Sequence, residues 1–586
     1  MPAQTWNLKD IIPPFESADY KKLLADMEEQ AQFIESYRTK LNPLIHAPEF
    51  LKLINALETI TMISSRLMSY AYLWYSEDTS NQAAKLYRSQ IEQLTTAAGN
   101  RILFLNLWFK ELEDNDAEQL IKDMPKEYHY YLRKLRLLKP HTLKETEEKI
   151  INLKDLTGNN ALIKLYDMTT TNFMYKLTVD GKKQTLTREQ LTTYVKSDDP
   201  AIRKAAYQAL YKMYRQHSDH LAEIYRSLIL DWKNENLTLR QYKSPITARN
   251  KGNDISDKAI QTLLDVCQDN RTLFQDYFKL KAQLCKIDKM SRYDLYTAYK
   301  EKKQTYTYED ALKIVYKAYK EYSPEMEKLA QQIVDKDHVH HTIQKNKITG
   351  AYCYDINPGI TPYVLLNFAG DTRDIFTVAH EFGHAVHDLL SHKHSPLTAH
   401  APLILAETAS IFGEMLLFDS FMRETKDKEL KKTLLIQQLD NIYASVIRQA
   451  YFILYEINAH ALIAEGADLA TLNKTYKDNL KEQFGDAMTI PDDFQYEWIS
   501  IPHIFHTPFY CYAYAFGNLL VLALYEQYKK EGKSFVPKYL KILQYGGSES
   551  PAKILEELHI NIEDPKFWQG GFDLIQTMVH DLKKLV

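Results

Sequence analysis

Asp371-Thr-Arg-Asp-Ile-Phe-Thr-Val-Ala-His-Glu-Phe-Gly-His-Ala-Val-His387 opens on two residues suited to cap a helix, Asp371 or Thr372, and runs on without a breaker except Gly383. The spacing predicts one helix. His380 and His384 are four apart, so they project from one face about one turn from each other, and both can offer an imidazole nitrogen to a single metal ion. Glu381 falls on the flank of that face. From there it can reach a metal-activated water without binding the metal, take its proton as the water attacks a carbonyl, and pass the proton to the leaving amine.

A catalytic zinc needs three protein ligands and an open position, so a third ligand is expected. The extended pattern HExxHxxGxxH is excluded, because His387 and Leu390 stand where its glycine and histidine would be. His387 shares the face but lies two turns along it, and His392, His394 and His400 follow in a short loop; all four read as supporting or solvated histidines. Glu407 is the better candidate. It lies in the helical run Leu403-Ile-Leu-Ala-Glu-Thr-Ala-Ser-Ile-Phe-Gly-Glu414 after Pro402, and an acid on so apolar a run is costly to bury unless paired or metal-bound. Glu414, seven residues on, shares its face, so one carboxylate can ligate while the other accepts the remaining N–H of a ligating histidine. Farther along, Trp498 to Tyr514 holds His503, Tyr510, Tyr512 and Tyr514, neutral donors of the type that stabilises an oxyanion, although packed tyrosines and a satisfied histidine are the commoner use of such residues.

Upstream of the motif, Lys347 to Tyr354 and Pro362 to Phe368 read as two short extended runs, a small sheet with a backbone edge. Most of the rest is helical in period. From Ala18 to Leu138 apolar residues recur at three and four, as in Leu53, Ile54, Leu57 and Ile60. Phe173, Tyr175, Leu177 and Val179 then alternate around an Asp180-Gly181 turn, predicting a hairpin, and Ser197-Asp-Asp-Pro200 opens the next helix. A boundary near residue 195 separates an N-terminal helical lobe, 1–195, from a catalytic lobe, 196–586. Only 17 Gly and 20 Pro in 586 residues, with 41 Tyr, favour a mainly α protein too long for one core.

Lys plus Arg number 73 against 77 for Asp plus Glu, so the net charge of −4 implies neither nucleic-acid nor membrane binding. Phe509 to Tyr525 lacks charge, but it is short for a bilayer and rich in tyrosine; a buried helix is expected. Cys267, Cys285, Cys353 and Cys511 have no CxxC spacing, which fits a reducing cytoplasm.

The segments Tyr75-Ser-Glu-Asp-Thr-Ser-Asn81, Asp180-Gly181, Gly350-Ala-Tyr-Cys353, Pro362-Tyr-Val-Leu-Leu-Asn367, HEFGH at 380–384, Ala406-Glu-Thr-Ala-Ser410 with Glu414, and Ile501-Pro-His503 through Phe509-Tyr510 together resemble the oligoendopeptidase F branch of the thimet oligopeptidase family. The resemblance implies a mainly α, two-lobed helical clamshell with a deep central channel and a small β-sheet beside the zinc site, cutting short peptides internally. It implies one Zn²⁺ on His380, His384 and Glu407, Glu381 as base, Glu414 supporting a ligand, and His503, Tyr510 and Tyr514 as transition-state donors. Gly350, Ala351 and the adjoining Tyr352 match the strand that pairs with substrate. No obligate protein partner is evident. Two rivals stay open: a zinc carboxypeptidase, which would need a cationic anchor such as Arg448, and a noncatalytic scaffold with structural zinc, against which Glu381 argues.

Overall fold

The computed structural model describes residues 5–15, 17–299 and 304–586. It is 71% helical, in agreement with the mainly α reading. Two compact units are present, and each is assembled from three separated pieces of chain. The first comprises Met1–Lys139, Lys303–Glu424 and Gln527–Ile560; the second comprises Pro140–Lys302, Thr425–Glu526 and Asn561–Val586. A single cut at residue 195 therefore divides the chain differently from its packing. Helices distant in sequence share each core, and periodicity carries no information about which helices meet.

In the first unit, Ala18–Glu35, Ala47–Glu77 and Gln82–Glu111 are long helices whose apolar faces form one core, with Leu53, Leu67, Leu73 and Phe109 all but fully buried. Ser17 and Asn81 cap two of them by accepting backbone N–H groups. The sheet of this unit has three strands: β3 (Val339–His340), β4 (Tyr352–Tyr354) and β5 (Tyr363–Leu365). Strand β5 is central, parallel to β3 and antiparallel to β4, which leaves β4 at an edge. The expected extended runs are thus shorter than their sequence span, and β3 was not anticipated.

In the second unit, β1 (Tyr175–Val179) pairs antiparallel with β2 (Lys182–Leu186). Asp180 and Gly181 both have positive φ, 50° and 74°, the two-residue turn that the Asp-Gly pair predicts. The uncharged stretch near residue 515 forms part of the helix Tyr512–Glu531, with Leu519, Leu520 and Leu524 fully buried. Among the described residues no helix is long and apolar enough to cross a membrane.

Candidate metal centre and active site

The motif lies on the helix Thr372–Ser391. Asp371 caps it, accepting from Asp374 N, while Asp374 Oδ2 accepts from Ala369 N and Gly370 N, each at 2.7 Å. The next functional helix, Thr408–Glu424, packs directly against it. Contact is close because glycine stands at both crossing points. A Cβ on Gly383 would lie 2.6 Å from Ala409 O and 2.6 Å from Ser410 Cα, and one on Gly413 would lie 3.1 Å from Ala379 O. Tyr319 donates its phenol to Ala379 O at 2.5 Å, which fixes the motif helix from a third side.

This packing brings three donor atoms together. Glu407 Oε2 lies 3.5 Å from His380 Nε2 and 3.4 Å from His384 Nε2. Ligands about 2.0–2.1 Å from a tetrahedral zinc are separated by roughly 3.4 Å, so the two separations from Glu407 Oε2 match those between neighbouring vertices of such a polyhedron. His380, His384 and Glu407 form one of two clusters among the described residues whose donor atoms all fall within 4.8 Å of one another. The donor set of two imidazoles and a carboxylate fits a zinc-type ion. The other cluster, Asp155, Asp231 and Glu235, is purely acidic, and Arg240 and Asn159 bond two of its members.

Each candidate ligand is oriented from behind. His380 Nδ1 donates to Glu414 Oε1 at 2.6 Å, which turns Nε2 toward Glu407. The Ala406 backbone hydrogen-bonds His384, and Ser410 Oγ donates to Glu407 Oε2 at 2.7 Å. Glu407 and Glu414 were expected on one helix. Instead, the run breaks: Leu403–Ala406 is a single turn ending at Glu407, and Thr408–Glu424 begins anew. The two acids thereby address opposite nitrogens of the same imidazole.

Charge in the cluster follows from burial and proximity. Burial pulls His380 down, but the bond to Glu414 and the nearby carboxylates outweigh it and hold the ring up at about 9. His384 goes the other way, to about 4, because burial dominates. For Glu407 burial opposes ionisation, yet the two imidazoles and the Ser410 hydroxyl prevail and keep the carboxyl below its ordinary range. Burial raises Glu381 to about 7 against the pull of His380 and of a hydrogen bond from the Cys353 backbone.

That last bond ties Glu381 to the edge strand β4. Gly350 and Ala351 lead into the strand, Gly350 with φ of 84° and its carbonyl accepting from Asn367 Nδ2 at 2.8 Å. Tyr352 packs its ring on Tyr72 and Trp6. The remaining histidines are engaged elsewhere. His387 is buried near the Ala406 backbone and held neutral, at about 4; His392 and His400 flank Asp355, and His394 bonds Gln544 O. Sequence reasoning did not find the roles of Ser410, Tyr319 or the Cys353 amide. Gly413, one residue before Glu414 on an otherwise apolar helix, was the available signal for the close crossing.

In the second unit, His503, Tyr510 and Tyr514 come together. The rings of His503 and Tyr510 are nearly parallel with centroids 6.1 Å apart, Tyr514 lies edge-on at 5.3 Å from Tyr510, and its hydroxyl is 3.4 Å from His503 Nε2. Burial and the neighbouring His506 lower the pKa of His503. Tyr512 is not part of this group: it is fully buried and its hydroxyl accepts from Asn253 at 2.8 Å. Arg448 is occupied by Glu497 at 3.1 Å and Tyr296 at 3.3 Å.

Comparison with known proteins bears on the family and the fold. The sequence profile of peptidase family M3 matches residues 193–574, and that of oligopeptidase F matches 108–175. The chain is 26% identical to oligopeptidase PepF of Bacillus subtilis, over 99% of this chain and 87% of the relative. Among solved structures, a Chlamydophila abortus protein assigned as a peptidase superposes with a TM-score of 0.89 at 26% identity, covering 100% of this chain and 98% of the other. The oligoendopeptidase-F of Enterococcus faecium shares the fold at 20% identity, with a TM-score of 0.73 over 97% of this chain and 98% of its own.

Proposed function

The chain belongs to peptidase family M3 and is a metalloendopeptidase; from that premise we propose that its metal is one Zn²⁺ held by His380, His384 and Glu407, and that it cuts internal bonds of short, unstructured peptides. The observation that supports this most is the convergence of two Nε2 atoms and one carboxylate oxygen at 3.4–3.5 Å, with Glu381 beside them but outside the donor set.

When bound, the ion supplies a Lewis acid that activates water and polarises the scissile carbonyl. Glu381 takes the proton as water attacks and returns it to the leaving amine. The Cys353 amide keeps Glu381 oriented while the rest of the edge strand β4, entered through Gly350, Ala351 and Tyr352, offers main-chain hydrogen bonds to an extended substrate. His503 and Tyr510, with Tyr514 beside them, donate to the oxyanion as it forms. Backbone recognition of this kind tolerates many side chains. The absence of a free anchor at Arg448 favours an endopeptidase over a carboxypeptidase. Four unpaired thiols favour a cytoplasmic setting.

Mass spectrometry of products from peptides blocked at both ends, the same peptides unblocked, and a native folded protein tests the reading. Internal cleavage of blocked peptides is expected. Cleavage only with a free C-terminus hands the case to a carboxypeptidase, and efficient degradation of the folded protein defeats the requirement for an extended chain.

A further inference from the structure

Phe509 is fully buried and sits at φ of 58°. Among the described residues eight non-glycine residues have positive φ, and Phe509 is the only apolar one of these. The others are polar residues of the kind turns and helix ends accept, whereas an aromatic side chain in the left-handed region costs about 1–2 kcal/mol and persists only where its surroundings hold it. The residue after it is Tyr510.

The peptide group that joins Pro508 to Phe509 is held at both its ends by side chains remote in sequence. Phe509 N donates to Glu456 Oε1 at 2.9 Å, in a fully buried contact from the helix Arg448–Ala464. Arg249 Nε donates to Pro508 O at 3.0 Å, from the helix Pro245–Gly252. The Phe509 ring packs on His460, one turn beyond Glu456, with centroids 4.5 Å apart. Glu456 is fully buried, its Oε2 has no hydrogen-bond partner, and the Phe509 amide is the one hydrogen bond its side chain makes among the described residues. Burying a carboxyl for a single hydrogen bond is expensive, and an apolar residue of that size would be cheaper for the core. The contact it secures is the one that keeps residue 509 left-handed. If that peptide relaxed, the chain direction into Tyr510 would turn, and with it the phenol that stacks beside His503.

We propose that Glu456, with Arg249 on the carbonyl of the same peptide, is a positioning residue that locks Phe509 in the left-handed conformation and so aims the Tyr510 hydroxyl for catalysis. It acts only through Tyr510, and it rests on the assignment of Tyr510 as an oxyanion donor. Removing the acceptor should then misplace a transition-state donor without disturbing the metal or ground-state substrate binding.

The test measures kcat, KM and zinc content on a blocked peptide for Glu456→Met, Glu456→Gln, Tyr510→Phe and the double variant Glu456→Met/Tyr510→Phe. Glu456→Met is expected to lower kcat about 10- to 100-fold with KM within about twofold and zinc unchanged, since loss or misplacement of one donor costs on that order. Glu456→Gln keeps a carbonyl acceptor and is expected within about threefold of the parent, a rescue that mere packing damage would not show. The double variant should be no slower than Tyr510→Phe alone. Equal loss in the Gln and Met variants, or additive loss in the double variant, overturns the proposal. Normal kcat in Glu456→Met beside an impaired Tyr510→Phe overturns it alone; normal kcat in Tyr510→Phe overturns the donor assignment and the proposal with it. Should Glu456→Met fail to fold, Arg249→Met, which frees the Pro508 carbonyl, carries the same expectations.

Discussion

His380 and Glu414 are joined ring nitrogen to carboxylate at 2.6 Å, and this one bond decides which face of the imidazole looks toward Glu407. The acid that orients the ring comes from a helix that reaches it only because Gly383 and Gly413 let two helices cross closely.

Glu414→Ala should therefore weaken zinc binding by about 10- to 100-fold without abolishing it, the usual cost of removing a ligand's outer partner. Glu407→Ala, which removes a donor atom itself, should lose zinc on dialysis. Chelator competition on both variants checks the order; equal retention would move the third ligand elsewhere.

Glu381→Gln should retain the fold and the metal while hydrolysis falls by at least about 100-fold, because the amide cannot accept a proton. Turnover above roughly a tenth of the parent value would remove Glu381 from the role of base.

Gly383→Ala should destabilise the protein by about 1–3 kcal/mol and weaken metal retention together, since the new methyl must push Ala409 and Ser410 away from the motif helix. Gly99→Ala is the contrast. Nothing lies within 4 Å of its Cβ, and it is interior to the helix Gln82–Glu111. It should stabilise by about 0.5–1 kcal/mol. Thermal melting with zinc analysis separates the two, and a Gly383→Ala variant with full zinc would discredit the close crossing as the basis of the site.

Glu456 gives the protein a pH dependence. Burial raises its carboxyl from the ordinary 4.5 to about 8, against the opposing pull of the Phe509 amide and Arg249. The folded state keeps the proton that the unfolded chain gives up, so this stabilisation is complete below about 4.5 and is lost as pH rises through about 8. The Glu456→Gln variant cannot ionise and should show a flatter stability profile between those values, with its relative gain largest above about pH 8. Parallel slopes in denaturant melts from pH 5 to 9 would contradict this.

Much of the site was legible in the sequence because it is local. The spacing of His380, Glu381 and His384 on a helix, the Asp371 cap and the Asp180-Gly181 turn depend on backbone geometry over a few residues, and there the chain has little freedom to do otherwise. Helical content was legible for the same reason, from scarce breakers and a period near three and a half. What only the tertiary structure decided is which distant pieces meet. The break at Glu407, the approach of two helices through Gly383 and Gly413, the Cys353 amide on Glu381 and the hold of Glu456 on Phe509 are contacts between segments far apart in the chain. So is the assembly of each compact unit from three such segments. They are selected by how whole faces pack, and a one-dimensional pattern records that a face is apolar but not what will cover it.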